Sequence, residues 1–235
     1  MSTDKQPKDY NIDRIIKVAQ IVLLVVIVLY VYKLNRRVNK LNQKLANISS
    51  QVAPASVVRL NFDKASPQIG ADDARVVMTV FSDFECEFCK SFAKEILPKL
   101  KTDYIDKGLL KVHFRFLPLE IHQHAFMAAE AAAYVNQQGK FWQMHDFLFN
   151  QPLLNNKIVS NWLANNGLDT NKLKTNLQNH TFKNQIDIDI AEATRVGITG
   201  TPAIVINGNV TLGSRQYDYF TDLIDKELAS ANSGS

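Results

Sequence analysis

The sequence predicts an α/β protein in which a block of helices is inserted into a unit of alternating strands and helices. Apolar runs rich in β-branched residues alternate with helix-like segments in the order β-α-β, then β-β-α. A helical stretch of residues 121–196 separates the two halves of this order, which is consistent with α/β architecture. Outside the pattern, an apolar segment near the N-terminus predicts a membrane-spanning helix.

The N-terminal segment is predicted to be a cytoplasmic tail (residues 1–14) followed by a transmembrane anchor (residues 15–33). Residues 18–32 carry no charge, and flanking lysines can reach the membrane interfaces. A cleaved signal peptide is the alternative, because the same length suits its apolar region. Residues 31–36 offer no small-x-small cleavage site, so an uncleaved anchor is favoured.

Residues 34–56 are predicted to form a short helical stalk and a flexible linker, the linker being residues 49–56. Apolar residues along this stretch are spaced alternately three and four apart, at Val31, Leu34, Val38, Leu41, Leu45 and Ile48. This seam predicts a homo-oligomer formed through residues 31–48. An amphipathic helix lying on anionic headgroups is an equal alternative.

The net charge differs between the residues before and after the end of the linker. Residues 1–56 contain 9 Lys and Arg against 3 Asp and Glu, whereas residues 57–235 contain 18 against 20. The basic N-terminal part suits a membrane surface and excludes nucleic acid as the expected partner. Basic residues flank the apolar segment on both sides, so the positive-inside rule does not orient it.

Residues 57–235 are long enough for one sizeable core, and their elements can be taken in order. We expect strands at Val57–Phe62, Val76–Phe84 and Leu110–Phe116, and a helix at Cys86–Tyr104 that Pro98 kinks.

After the third strand, the helical stretch is predicted to break near Gly139, Pro152 and Gly167. A hairpin of Ala203–Ile206 and Val210–Leu212 follows, with Asn207-Gly208 as its turn, and a helix at Tyr217–Leu228 ends the domain.

The segment Cys86-Glu87-Phe88-Cys89 holds the two cysteines of the chain. It lies where the second strand passes into a helix, so the first sulfur is placed at a helix N-terminus that favours a thiolate. This arrangement predicts a redox dithiol. Cys86 is expected to be the exposed reacting sulfur, and Cys89, one turn deeper, the buried resolving thiol.

Two other uses of the cysteines are disfavoured. A structural zinc site needs four ligands, but the chain has no second cysteine pair and its five histidines lack finger-like spacing. We therefore expect no metal. His122 and His124 are expected to be solvated or capping residues. A structural disulfide across so short a loop would restrain little of the unfolded chain.

A second motif lies at residues 197–208, where Pro202 opens a short apolar strand. Three blocks carry a resemblance to a known family: Phe81-Ser82-Asp83-Phe84-Glu85-Cys86-Glu87-Phe88-Cys89, Gly200-Thr201-Pro202-Ala203, and the block from Phe116-Leu117-Pro118-Leu119 through His124-Ala125 to residues 138–142. In these blocks the chain resembles the DsbA-like thiol:disulfide oxidoreductases of the thioredoxin superfamily.

The resemblance implies a thioredoxin fold with an inserted helical domain over about residues 121–196. It also implies that Pro202 is a cis-proline facing the dithiol and that the Thr201 backbone pairs with an extended substrate segment. The implied enzyme is a membrane-anchored oxidoreductase that forms disulfides in exported proteins through Cys86 and Cys89, without a cofactor.

By the same resemblance, reduced or misoxidised exported proteins are the expected substrates and a quinone-linked membrane oxidase recycles the dithiol. The expected location is a bacterial cytoplasmic membrane, with a single span and an extracytoplasmic catalytic domain. An oligomeric disulfide isomerase or reductase, kept reduced by a membrane reductase, is the alternative. A non-enzymatic binding or chaperone module is the third class.

The residues around the cysteines predict how reactive the dithiol is. Glu87, Glu85 and Asp83 place negative charge near the reacting sulfur, and such charge opposes thiolate formation. Phe88 replaces the histidine of the strongest oxidants of the family, so we predict a Cys86 pKa between theirs and that of free cysteine. Phe88 and Phe84 are expected to form an apolar rim for unfolded substrates.

Overall fold

The structure, a computed structural model, describes residues 9–51, 58–61 and 66–232 of the 235-residue chain. The chain divides into two units between Pro54 and Ala55. The first unit contains one long helix, and the second contains a five-stranded sheet covered by helices.

The helix of the first unit, α1, runs without interruption from Asp9 to Gln51. Its segment Ile16–Leu41 is 26 residues long and apolar enough to cross a membrane. At about 1.5 Å per residue this segment measures about 39 Å, which exceeds the ~30 Å hydrocarbon core of a bilayer. The predicted anchor and stalk therefore belong to one helix. Most of the predicted tail (residues 1–8) and the predicted linker beyond residue 51 lie outside the described residues.

The sheet of the second unit has the strand order β1-β3-β2-β4-β5. Its strands are β1 (Gln68–Ile69), β2 (Val76–Ser82), β3 (Leu110–Phe116), β4 (Ala203–Ile206) and β5 (Asn209–Leu212). The β2–β3 pair is parallel and the other pairs are antiparallel. A parallel pair needs a crossover connection, which here is the helix that follows the cysteines.

Two strand predictions were wrong. Residues 58–61 form no strand, because their backbone donors go to scattered partners. Val58 N donates to Gly208 O, and Asn61 N donates to a side-chain oxygen of Glu192. Val57 and Phe62 lie outside the described residues. The short strand β1 was not predicted, and β2 ends at Ser82 instead of residue 84.

The crossover is a helical rod over residues 87–105. It consists of α2 (Glu87–Ser91), a π-helical segment (Phe92–Ile96), α3 (Leu97–Leu100) and a second π-helical segment (Lys101–Ile105). Pro98 does not end the rod, although proline cannot donate the usual helical hydrogen bond. The π-helical turn directly before α3 gives the backbone the room that the proline ring needs.

Five helices of the second unit form the block predicted for residues 121–196, which confirms the helical insertion. They are α4 (Ala125–Asn136), α5 (Phe141–Asn150), α6 (Asn156–Asn165), α7 (Thr170–Gln178) and α8 (Lys183–Arg195). Helix α9 (Tyr217–Asn232) follows the hairpin. Phe114 and Phe116 of β3 pack with the insertion core, whereas Val76 and Met78 of β2 pack with the rod and α9.

Candidate active site

The dithiol lies where β2 passes into the helical rod. Cys86 is the N-cap residue of α2, in extended backbone conformation and with no side-chain cap hydrogen bond. The backbone N–H groups of Phe88 and Cys89, in the first helical turn, contribute to lowering the pKa of its thiol. The predicted strand, dithiol and helix are therefore present in that order, with Cys86 at the helix N-terminus.

Both cysteines are free and almost completely buried. Cys86 is 6 % exposed and Cys89 is 1 % exposed, so the expectation of an exposed Cys86 was wrong. Two features cover its sulfur. Cys86 Sγ lies 3.4 Å from the Thr201 carbonyl oxygen, and Pro152 and Leu153 line the cleft at Cys86. Exposure was misjudged because these covering segments come from distant parts of the sequence.

The two sulfurs differ strongly in acidity. A hydrogen bond from Cys89, the Thr201 side chain and the N–H groups of residues 88 and 89 lower the pKa of Cys86 to about 5, although burial acts in the opposite direction. Burial, with the negative charge at Cys86, raises the pKa of Cys89 far above its ordinary value. Near neutral pH the reduced site therefore holds one thiolate and one thiol.

The predicted range of the Cys86 pKa agrees with this geometry. A value of about 5 lies below that of free cysteine. It lies above the value of about 3.5 that is typical of the strongest dithiol oxidants.

Thr201 lies beside the dithiol and is followed by Pro202, as the family resemblance implied. Their peptide bond is cis, and Pro202 is buried. The Thr201 hydroxyl is buried and has no hydrogen-bond partner among the residues that the structure describes. The Thr201 side chain contributes to lowering the pKa of Cys86. Roles of Thr201 and Pro202 in substrate binding stay predictions.

The two glutamates predicted to tune the dithiol differ in their surroundings. The Glu87 side chain is 82 % exposed, and its carboxylate lies 3.7 Å from Lys90 Nζ. Solvent and this lysine therefore weaken its field at the sulfur. Glu85 is mostly buried and accepts a hydrogen bond of 2.5 Å from His124 N. Effects of either carboxylate on Cys86 stay predictions.

The predicted apolar rim is only partly present. Phe88 is 67 % exposed beside the dithiol. Phe84 is 5 % exposed, because its ring packs into the insertion core against Phe114 and Phe149, with ring centroids 5.4 and 5.0 Å away. Phe84 lines the Cys86 cleft of about 80 Å³ together with Leu153, but its ring is turned into the core, so the prediction that it forms an exposed rim was wrong. Leu153, which is 59 % exposed, was not predicted at this cleft.

Sequence reasoning missed the partners of the two acids before the dithiol. Asp83 Oδ2 lies 2.7 Å from His122 Nδ1, and Glu85 Oε1 lies 3.2 Å from His124 Nδ1. His124 does occupy the N-cap position of α4, although its side chain makes no cap hydrogen bond, and the pairing of both imidazoles with carboxylates was not predicted. A signal was present, since the acids and the histidines are each two residues apart. Each pair follows one strand of the parallel β2–β3 pair, whose carboxyl ends meet at one edge of the sheet.

A second buried network supports this edge of the sheet. Arg115 Nη1 of β3 donates to Asp189 Oδ1 of α8 at 2.6 Å, and both side chains are at most 2 % exposed. Asp189 Oδ2 accepts from Phe116 N at 2.9 Å, and Arg115 also donates to the Asn61 carbonyl oxygen. Within the ranges that the structure describes, no three His, Cys, Asp or Glu side chains are grouped to hold a metal ion.

Comparison with known proteins gives consistent matches. A family model described as Thioredoxin matches residues 63–226. Disulfide bond formation protein D of Bacillus subtilis is 30 % identical over 175 residues, which cover 70 % of this chain and 78 % of that protein.

Solved structures also resemble this chain. The crystal structure of oxidised BdbD from Bacillus subtilis matches with a TM-score of 0.68 and 30 % identity, over 74 % of this chain and 98 % of that one. The structure of Wolbachia pipientis alpha-DsbA1 matches with a TM-score of 0.66 over 74 % of this chain and 96 % of that one. At 22 % identity it supports the fold alone.

Proposed function

This chain belongs to the thioredoxin family and is a DsbA-like thiol:disulfide oxidoreductase, and on that premise we propose that it forms disulfides in exported proteins while anchored to a bacterial cytoplasmic membrane. Cys86 and Cys89 are its reacting groups. Reduced exported proteins are its substrates, and a quinone-linked membrane oxidase restores its disulfide.

The observation that carries the oxidising direction is the different acidity of the two sulfurs. A substrate thiolate attacks Cys86 of the Cys86–Cys89 disulfide, and Cys89 leaves as the first bond breaks. A second substrate thiol then displaces Cys86, which leaves readily because its pKa is lowered to about 5. Stabilising this thiolate stabilises the reduced enzyme, and a stable reduced form makes the disulfide a stronger oxidant.

The size of this effect follows from the two pKa values of Cys86. Lowering the pKa from 9.0 to about 5 makes ionisation of the reduced site favourable at neutral pH. At about pH 7 this favours the reduced enzyme by roughly a factor of one hundred in the exchange equilibrium, which raises the reduction potential by about 60 mV.

The direction is tested by equilibrating the full chain with glutathione buffers and measuring its reduction potential. We expect a value between about −180 and −120 mV, the range between protein disulfide isomerase and the strongest oxidants. A potential below about −230 mV would contradict the oxidase proposal. As a control, Cys89→Ser should accumulate a mixed disulfide with substrate at Cys86, and Cys86→Ser should accumulate none.

The membrane anchor is supported by the length and apolar character of Ile16–Leu41 within α1. We expect the full chain to fractionate with membranes and a chain lacking residues 1–56 to be released. Protease added to intact cells whose outer layers are permeable should digest the catalytic domain. Protection of the domain would contradict the extracytoplasmic location.

An oligomeric isomerase or reductase is the second candidate, and the heptad spacing of the apolar seam on α1 favours it. Val31, Leu34, Val38 and Leu41 are 44–60 % exposed within the unit that contains them, while the side chains of Leu45 and Ile48 lie outside the described residues.

Cross-linking the chain with and without residues 33–50 tests this candidate. A sharper comparison sets the double variant Leu34→Asp, Leu41→Asp against Asn35→Asp, Asn39→Asp, which adds the same charges off the seam. Loss of cross-linked species only in the first, together with a mainly reduced dithiol in cells, supports the second candidate.

A further inference from the structure

The Asp83 carboxylate joins three parts of the active site. Its side chain is completely buried, and Oδ1 accepts a hydrogen bond from Glu85 N at 2.7 Å. Oδ2 accepts from Leu119 N at 2.8 Å and lies 2.7 Å from His122 Nδ1. The Asp83 backbone oxygen accepts from Cys86 N at 3.2 Å. One acid therefore connects the end of β2, the reacting cysteine and the loop that follows β3.

The hydrogen bond to Asp83 determines which nitrogen of His122 can titrate. A carboxylate oxygen accepts, so Nδ1 carries a proton and Nε2 is the position that gains or loses one. The His122 side chain is 22 % exposed, so Nε2 can exchange protons with water. The Asp83 carboxylate stabilises the imidazolium, which suits this histidine to hold a proton close to the dithiol.

The ionisable groups around His122 come from two segments. Asp83, Glu85 and Cys86 belong to the turn between β2 and α2, while Glu120 and His124 belong to its own loop. Burial lowers the pKa of His122, but the hydrogen bond to Asp83 and the charges of Asp83, Cys86 and Glu85 together raise it above its ordinary value. The charge of Cys86 exists only as long as the dithiol is reduced.

We propose that His122 is a redox-linked proton acceptor, which gains a proton at Nε2 when the Cys86–Cys89 disulfide is reduced and stabilises the Cys86 thiolate as an imidazolium. His122 acts on the sulfur through its charge and through Asp83, so it is a positioning residue. This role requires dithiol exchange, but neither the membrane anchor nor the oxidising direction.

The exchange balances in atoms and electrons. A substrate dithiol loses two electrons and two protons as its disulfide forms, and the Cys86–Cys89 bond breaks. Cys89 takes one proton as its thiol, Cys86 stays a thiolate, and the second proton is divided between His122 and the solvent. In the reverse direction His122 and the solvent return it. By linkage, the thiolate strengthens proton binding at His122 by the same factor as the imidazolium strengthens ionisation of Cys86.

The direct test is an NMR titration of the His122 ring in the oxidised and in the reduced full chain. We expect the His122 pKa to be higher in the reduced protein, with proton binding about three- to tenfold stronger, the size of one charge interaction across a half-buried site. Identical His122 pKa values in the two redox states would overturn the proposal.

Two variants separate the charge of the His122 ring from its hydrogen bond to Asp83. His122→Asn keeps a donor near the position of Nδ1 and removes the titrating nitrogen, so Asp83 keeps its hydrogen bond. We expect Cys86 to ionise about three- to tenfold more weakly in this variant, and the extra proton uptake to vanish from the pH dependence of the reduction potential. His124→Gln is the matched control, since it removes an imidazole from the same loop without altering the contact to Asp83.

An unchanged Cys86 pKa in His122→Asn, or an equal shift in both variants, would contradict the role of His122. A strongly reducing potential in the wild-type chain would refute the proposed oxidase function instead. That result would leave the redox-linked titration of His122 intact, so the two failures are distinguishable.

Discussion

Replacing the Thr201 hydroxyl by a methyl group should raise the pKa of Cys86. Thr201→Val keeps the shape of the side chain, and the hydroxyl it removes is buried with no partner among the described residues. A hydrogen bond to a charged group contributes about 1.5–3 kcal/mol, or about one to two pKa units at about 1.4 kcal/mol per unit.

The lower end of that range is expected, because the hydrogen bond from Cys89 contributes more than Thr201 to lowering the pKa of Cys86. The Cys86 pKa should therefore rise by about one unit, and the potential at neutral pH should fall by about 30 mV. The ultraviolet absorbance of the thiolate reports the titration, and glutathione equilibration reports the potential.

The matched control is Thr199→Val, which removes an exposed hydroxyl two residues earlier in the same segment. This control should titrate and equilibrate like the wild type. If Thr201→Val left the Cys86 pKa unchanged, the hydroxyl would have no part in stabilising the thiolate, and the acidity would have to arise from Cys89 and the helix N-terminus alone.

Three further results are expected. The Cys86 pKa is lowered from 9.0 to about 5 in the folded reduced protein, so that form gains stability as the pH rises from about 5 towards 9.0 and loses it as the pH falls through the same interval. Its stability relative to the oxidised form should therefore decrease by about 3 kcal/mol between about pH 7 and about pH 4, and equal decreases in both forms would contradict this. Asp189→Asn removes the carboxylate that is hydrogen-bonded to the buried Arg115 guanidinium and should lower the free energy of unfolding by about 3–5 kcal/mol, which urea denaturation measures. Phe84→Ala should lower the free energy of unfolding by about 3–5 kcal/mol, because its ring is buried. Phe88→Ala should lower it by less than about 0.5 kcal/mol but should slow substrate oxidation. A larger loss of stability in Phe88→Ala than in Phe84→Ala would contradict the burial of Phe84.

The contrast between Phe84 and Phe88 shows where sequence patterns stop being informative. Both are phenylalanines beside a cysteine, and nothing local distinguishes them. Phe84 lies in the turn before the helix, where its ring meets Phe114 and Phe149 from distant elements. Phe88 lies on the first turn of α2, on the side that faces solvent.

The pairing of Asp83 with His122 depends on topology in the same way. Strands β2 and β3 are parallel neighbours, with Ser82 opposite Phe116, so the segments that follow them emerge together. The sequence predicted both strands but did not establish their order in the sheet. Without that order, the acids before the dithiol were interpreted as free charges that oppose a thiolate, although Asp83 is hydrogen-bonded to the imidazole of His122.

The sequence by itself determined the chemistry of this protein, since reversible exchange needs two sulfurs one helical turn apart at a strand-to-helix junction, and local periodicity and spacing specify that arrangement. Local patterns also determined the apolar N-terminal helix and the helical insertion. Only the tertiary structure decided the depth of Cys86, the contact of Thr201 with its sulfur and the pairing of His122 with Asp83. Burial and charge pairing depend on which distant segments meet, and a pattern confined to neighbouring residues carries no record of those contacts.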